Sequence, residues 1–275
     1  PSIFSSGITQ INILIGTIIA SFEMSAVSYL YYADRVYQIN LAIAGAAVGT
    51  VSLPILARAV KSKNILKINT IQNKSMELSL LFSIPASLGL ILASEEIINA
   101  LFGYGSFSES NVALTGKALK YFGYGIPAFA LIKVLSNFFF ARNNTKLPFY
   151  VSSIIVFLNV SISLSFFKEV GFIIIPIATS ISTWAGVLIY LILLNKKKLL
   201  IFQKYFFKNV IKIIFSTCIM SSILTYGLKY FAKNLDYYNN FKVIYLLIIV
   251  GFVTTIYLIL CNFLGVLKLK NYKTN

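Results

Sequence analysis

The sequence has 275 residues, of which 58% are hydrophobic and 12% are charged, and its mean hydropathy is +0.82. A soluble domain has about 25% charged residues, so this chain has too little charge to cover a water-exposed surface. The same composition excludes a disordered chain and, despite a net charge of +16, a nucleic-acid-binding one. Since one spanning helix needs about 20 apolar residues, we predict an all-α polytopic membrane protein.

Long apolar runs separated by polar or lysine-rich breaks predict eight transmembrane helices. The second and fourth runs are too long for a simple perpendicular span, so we expect each to be tilted, broken or extended into the interface. The predicted spans lie near residues 4–22, 28–57, 76–94, 112–140, 148–166, 171–194, 207–231 and 241–264.

Lysine and arginine are distributed unevenly over the connections between these spans. Sixteen of the 24 belong to alternate connections on one side and seven to the other side, while Lys133 lies deep in a span. Cytoplasmic connections carry the excess of Lys and Arg, so the lysine-rich side, which includes the C-terminus, is predicted to be cytoplasmic. Topology and anionic membrane lipids then explain the net charge, with no nucleic-acid partner.

Several kinds of chemistry lack the residues that they need. The chain has no histidine, the usual acid–base group near neutral pH and a common metal ligand. Cys218 and Cys261 lie in apolar runs, where a disulfide is not expected. Without a metal-ligand cluster, nucleophile motif or phosphate-binding glycine loop, we predict no enzyme, cofactor or metal site. The first residue is Pro1, and we expect the chain to be part of a longer protein.

Polar groups inside a membrane mark candidate binding residues, because burying them is expensive unless they face a partner or a cavity. Asp34 and Arg35 are adjacent and point about 100° apart on a helix, so they cannot pair face to face. Position alone leaves Arg35 either in a cavity or at the interface. Lys133 is far from both ends of its span, and with Asn137 one turn further on we favour a cavity-facing cation. The uncharged candidates are Gln10, Asn12 and Asn159. For these residues, hydrogen bonding between helices is the simpler role.

Six motifs stand in order along the first part of the chain. They are Gly7–Asn12, Ser28–Arg35, Gly45–Pro54, Ile84–Leu90, Leu101–Phe107 and Phe139–Pro148. In sequence and spacing these motifs resemble the second half of the MurJ/MviN lipid II flippases. The resemblance covers about residues 1–195, whereas the last two spans match as hydrophobic helices alone. Within the third motif, Gly45 and Gly49 form a GxxxG pattern, which permits close approach of two helices.

The resemblance implies a fold of fourteen transmembrane helices, as in the multidrug/oligosaccharidyl-lipid/polysaccharide exporter superfamily. Such a fold has two six-helix lobes and two additional helices. The eight predicted spans are similar to the seventh to fourteenth, so residues 1–195 would form the second lobe. Residues 196–275 would form the two additional helices, with a basic cytoplasmic linker and tail, and the first lobe would be missing from this chain.

The resemblance also implies a function. It is the flipping of lipid II, a peptidoglycan precursor, across the bacterial inner membrane by alternating access, for cell wall synthesis. Arg35 matches the essential cavity arginine of the second lobe, and the expected substrate-binding residues are Arg35, Asp34, Lys133, Asn137, Gln10 and Asn12. The expected partners are lipid II, membrane lipids and the missing first lobe.

Two other functions stay open at this point. One is the export of a polysaccharide-linked lipid or of drugs by a member of the same superfamily, against which the motifs at residues 34–35 and 101–107 argue. The other is a membrane subunit that transports nothing by itself, as the absence of a first lobe would allow.

Overall fold

The computed structural model describes residues 12–267, which form helices joined by short connections. A π-helical turn, Ala42–Ala46, joins the second and third helices, and short 3₁₀ turns follow the eighth and tenth. The helices are α1 (residues 12–20), α2 (Ala26–Leu41), α3 (Ala47–Lys61), α4 (Ile65–Leu92), α5 (Ser94–Phe102), α6 (Glu109–Gly123), α7 (Ile126–Phe140), α8 (Lys146–Val170), α9 (Ile174–Lys196), α10 (Lys204–Tyr230) and α11 (Lys242–Phe263).

Four helical stretches in the described part of the chain are long and apolar enough to cross a membrane, or five if α6 and α7 count as one span. The longest, Lys146–Lys196, is a hairpin in which α8 folds back along α9 at Gly171. Gly171 has a φ of +72°, a conformation that favours glycine. The next N–H, that of Phe172, donates to the Glu23 carboxylate over 2.7 Å. The stretches confirm an all-helical membrane fold.

The second predicted span contains the π-helical turn between α2 and α3, and two glycines bring this region close to α7. A Cβ atom on Gly45 would lie 3.2 Å from the Ala130 Cα atom, and one on Gly49 would lie 3.5 Å from Asn137 Nδ2. The Asn137 amide donates to the Gly49 carbonyl over 2.7 Å. The close approach expected of the GxxxG pattern is confirmed, and the hydrogen bond fixes its register.

The fourth predicted span is broken, because α6 and α7 meet at an angle of 41°. Pro127, in the first turn of α7, has no N–H that could donate to the Gly123 carbonyl. Ser87 of α4 donates to that carbonyl instead, over 2.7 Å. The indole N–H of Trp184 on α9 donates to the Tyr124 carbonyl over 3.0 Å. Neighbouring helices thus satisfy backbone groups that the break exposes, as a hydrocarbon environment requires.

The α10–α11 hairpin packs against α4 and α5 and is hydrogen-bonded to α4 at two depths. Glu77 of α4 is 1% exposed, and it accepts hydrogen bonds from Lys74 over 2.6 Å and from Asn209 of α10 over 3.0 Å. Tyr257 of α11 donates its hydroxyl hydrogen to the Leu81 carbonyl over 2.7 Å. These bonds fasten the hairpin to the preceding helices.

A buried lysine fastens the hairpin at its other end. Lys242, the first residue of α11, is 1% exposed. Its ammonium donates to Asn99 Oδ1 over 3.0 Å, to the Gly103 carbonyl over 2.7 Å and to the Tyr237 carbonyl over 2.8 Å. The Tyr104 ring centroid lies 4.2 Å away. We call these four groups the Lys242 cage.

Local boundaries differ from the sequence prediction around the third span. The helix begins at Ile65, well before residue 76, because the Asn64 side chain caps it by accepting from the Lys67 N–H over 3.0 Å. The short helix α5 was not predicted, since its nine residues are too few to span a membrane. Both cysteines, Cys218 and Cys261, are free thiols in the structure.

Candidate functional site

A cavity of about 720 Å³ lies between helices from the early and the middle parts of the chain. Its walls come from α1, α2, α7, α8 and α9, with one aromatic residue of α6. Polar side chains that line it include Asn12, Asp34, Tyr37, Gln38, Lys133 and Asn159.

The cavity contains one carboxylate and one ammonium that are not paired with each other. Asp34 of α2 accepts a hydrogen bond from Gln38 one turn further on. Lys133 of α7 is exposed, and its ammonium lies 5.4 Å from the centroid of the Phe129 ring. Among residues 12–267 the one ion pair is Lys74–Glu77. Both cavity charges are therefore available to a ligand.

Arg35 lies beside the cavity rather than on its wall. Its side chain is exposed, and its guanidinium carbon is 4.7 Å from the centroid of the Tyr31 ring. Tyr31 lines the cavity, whereas Arg35 is not among the lining residues. The shared face of Arg35 and Tyr31 agrees with the helical spacing, and it places the guanidinium at the cavity edge.

The uncharged candidates have different surroundings. Asn12 lines the cavity, and its Oδ1 atom is buried without a hydrogen-bond partner among the described residues. Asn159 donates to Thr179 Oγ1 over 2.9 Å, which confirms its predicted bond between helices. Asn137 is not in the cavity wall: its amide is buried between α7 and α3 and committed to their packing. Gln10 lies outside the described residues.

Sequence reasoning missed two cavity residues of α2, Tyr37 and Gln38. Tyr37 is 4% exposed and stacks on Phe122 of α6, with ring centroids 5.0 Å apart. Its hydroxyl has no hydrogen-bond partner among residues 12–267. Cavity-lining positions of α2 recur every three or four residues, which is one face of a helix. Extending that face from Asp34 would have found both residues.

Comparison with known proteins identifies the family. The family model described as lipid II flippase MurJ matches residues 1–248 of the chain. The chain belongs to the MurJ family. A curated MurJ relative, a probable lipid II flippase from Rhizobium tropici, is 36% identical over 226 residues, which are 82% of this chain and 42% of the relative.

Solved structures support the MurJ fold. A lipid II flippase MurJ in an inward closed conformation matches with a TM-score of 0.78 and 28% identity, over 94% of this chain and 51% of that one. An outward-facing multidrug resistance MATE transporter of the MOP superfamily matches with a TM-score of 0.62 and 16% identity, over 95% and 61%. The MATE match shows a common fold alone. The chain spans less than half of the Rhizobium relative and about half of the solved MurJ chain.

Proposed function

We propose that this chain forms the second lobe and the two additional helices of a lipid II flippase, and that it acts as a transporter rather than an enzyme. Membership of the MurJ family supports the substrate. The proposal places the protein in the bacterial inner membrane, where a first lobe would cover the open side of the cavity. Rocking of two lobes around that cavity would expose the substrate first to one leaflet and then to the other.

The proposed topology has eight spans. They are α1, α2 with α3, α4, α6 with α7, α8, α9, α10 and α11. The excess of Lys and Arg at the ends of α3 and α9 and at the start of α10 supports a cytoplasmic location for these ends. With an even number of spans, both ends of the chain would then be cytoplasmic. Residues 1–195 would form the lobe and residues 196–275 the additional helices.

The observation that carries the proposal is the unpaired Lys133 ammonium on the cavity wall. Lipid II carries a pyrophosphate, and hydrogen bonds from ionised donors to phosphate oxygens are about twice as strong as neutral ones. The exposed Arg35 guanidinium at the cavity edge would add a planar, bidentate donor. We infer that these two cations bind the pyrophosphate while the headgroup crosses the membrane.

Replacing Lys133 with alanine is expected to slow the translocation of labelled lipid II in proteoliposomes by about 10- to 150-fold, because one charge-assisted hydrogen bond is worth roughly 1.5–3 kcal/mol. Lys133→Arg should retain most of the rate, since the charge stays. The matched control is Lys117→Ala, which removes an exposed lysine of α6 outside the cavity. A Lys133→Ala protein that transports at the wild-type rate would refute the proposal.

Arg35→Lys is expected to reduce translocation about fivefold although the charge is retained, because lysine lacks the planar fork that engages two phosphate oxygens. The matched control is Arg58→Lys, at the end of α3, where the guanidinium bonds the Pro54 carbonyl outside the cavity. Equal rates for Arg35→Lys and the control would show that Arg35 is an interfacial residue.

A further inference from the structure

A groove of about 760 Å³ lies between α4, the α6–α7 bend and α9. We call it the outer groove, and the residues that line it fall within 84–91, 124–127 and 180–188. On α9, Thr179 and Thr183 line the cavity described above, whereas Ile181 and Leu188 line the outer groove. These two pairs lie on opposite faces of the helix. The outer groove therefore faces away from the cavity.

The outer groove is open on a surface that meets bilayer hydrocarbon. Ile181 and Leu188 in its wall are 51% and 60% exposed. They belong to the stretch Lys146–Lys196 and the opposite wall to Ile65–Leu92, both long and apolar enough to cross a membrane. Because the groove lies on the face opposite to the cavity, a first lobe that covers the cavity would leave the groove uncovered. Lipid chains are then what it meets.

The wall of the outer groove offers an occupant almost no hydrogen-bonding group. Its two serines, Ser87 and Ser180, each donate to a backbone carbonyl of α6 over 2.7 Å. The Trp184 indole donates to the Tyr124 carbonyl. Apart from the Tyr124 phenol, the remaining lining side chains are aliphatic. A hydrocarbon chain matches such a wall, whereas a polar ligand would lose its hydrogen bonds to water there.

One end of the outer groove lies close to a positive charge. Ile91 lines the groove one residue before α4 ends, and a Cβ atom on Gly123 would lie 3.0 Å from its Cγ1 atom. The end of α6 is therefore level with the end of α4. Lys120 lies one turn before Tyr124 on the same helix face, is exposed, and has no ion-pair partner within residues 12–267. Its ammonium is thus near the end of a spanning helix, the level at which lysine reaches lipid headgroups.

We propose that the outer groove binds one bilayer phospholipid, with an acyl chain between α4 and α9 and the phosphate beside Lys120. The apolar wall and the charge at one end match a single molecule that carries both groups. The chain supplies the packing contacts that the α6–α7 bend would otherwise lack on this side. This site is separate from the cavity and does not involve lipid II.

The chain has one tryptophan, Trp184, so its fluorescence reports on the outer groove. The test is a titration of the purified protein in detergent with phosphatidylglycerol brominated on its acyl chains, because bromine quenches tryptophan on contact. Quenching should saturate at a single lipid per protein. Lys120→Ala should weaken the apparent affinity about fivefold, the effect of one lysine near an anionic headgroup. The matched control is Lys229→Ala, an exposed lysine of α10 outside the groove, which should leave the affinity unchanged.

A second pair of variants tests the acyl chain. Ala185→Phe fills the groove from α9 and should abolish the saturable quenching, and Leu88→Phe should do so from α4 if the first variant does not fold. Ser222→Phe, on an exposed position of α10 outside the groove, should quench like the wild-type protein.

Three results would overturn the proposal. Quenching that never saturates, or that is equal in the wild type and the groove-filling variants, would show that Trp184 contacts bulk lipid. An unchanged affinity of Lys120→Ala would remove the phosphate from this end of the groove. Binding of undecaprenyl phosphate as tight as that of the phospholipid would contradict an acyl-chain site. Each result would leave the flippase proposal standing, because Lys120 and Ala185 lie outside the cavity wall.

Discussion

Replacing Lys242 with methionine is expected to lower the free energy of unfolding by about 3–5 kcal/mol. The methionine keeps the apolar stem but removes the ammonium, leaving Asn99 Oδ1 and two backbone carbonyls buried without their donor. A buried acceptor that loses its hydrogen bond typically costs about 1–3 kcal/mol, so three such acceptors account for a loss of this size. Thermal unfolding in detergent would give the loss of stability, and hydrogen exchange would locate it at the α5–α6 connection and the start of α11.

The matched control for this variant is Lys233→Met, which removes an exposed lysine from the same connection and should leave stability within about 0.5 kcal/mol of wild type. Asn99→Leu removes the other partner of the Lys242–Asn99 hydrogen bond. The double variant Asn99→Leu with Lys242→Met should lose less stability than the sum of the two single losses, because each single substitution already removes that bond. Additive losses would contradict the Lys242 cage.

Gly45→Leu is expected to destabilise the protein by about 3 kcal/mol and to abolish transport. A Cβ atom at residue 45 would already lie 3.2 Å from the Ala130 Cα atom and 3.6 Å from Lys133 Cγ. Backbone cannot move aside as a side chain can, so the larger residue must separate α7 from the π-helical turn. The shift would move Lys133 relative to Asp34. Thermal unfolding and lipid II translocation would measure the two effects.

Gly251→Leu is the matched control, because a Cβ atom on Gly251 meets nothing within 4 Å and the residue faces outward from α11. It should melt and transport like the wild-type protein. Gly45→Leu with wild-type stability would show that α7 and the π-helical turn can separate freely.

Composition and apolar run lengths were sufficient to predict the fold class, because a membrane-spanning helix has a minimum length and needs an apolar surface. The break in the fourth span could be expected from its excess length. The hydrogen bonds at this break could not, because the serine and tryptophan that bond the Gly123 and Tyr124 carbonyls belong to other helices. The burial of Lys242 could not be predicted either, because the Asn99 and Gly103 oxygens that accept from its ammonium lie about 140 residues away in the chain.

The candidate site was predictable in part. Lys133 and Asp34 could be found because a charge within an apolar run needs a partner or a cavity, and both residues line the same cavity. Asn137 shares a helix face with Lys133 by spacing, yet the nearby Gly49 carbonyl captures its amide, and a partner on another helix is invisible to periodicity. Tyr37 was missed because a tyrosine near the end of an apolar stretch is typical of an anchor at the membrane–water interface.

The hydrogen bonds at the α6–α7 bend restrict how this region can change in evolution. The Gly123 and Tyr124 carbonyls depend on Ser87 and Trp184, which are nearly a hundred residues apart in the chain. Replacing either donor leaves a carbonyl facing hydrocarbon, a loss of several kcal/mol. A substitution that removed Pro127 would restore the backbone donor and release position 87 from its constraint. Relatives that lack this proline should therefore tolerate alanine at position 87, and those that retain it should keep a hydroxyl or another donor there.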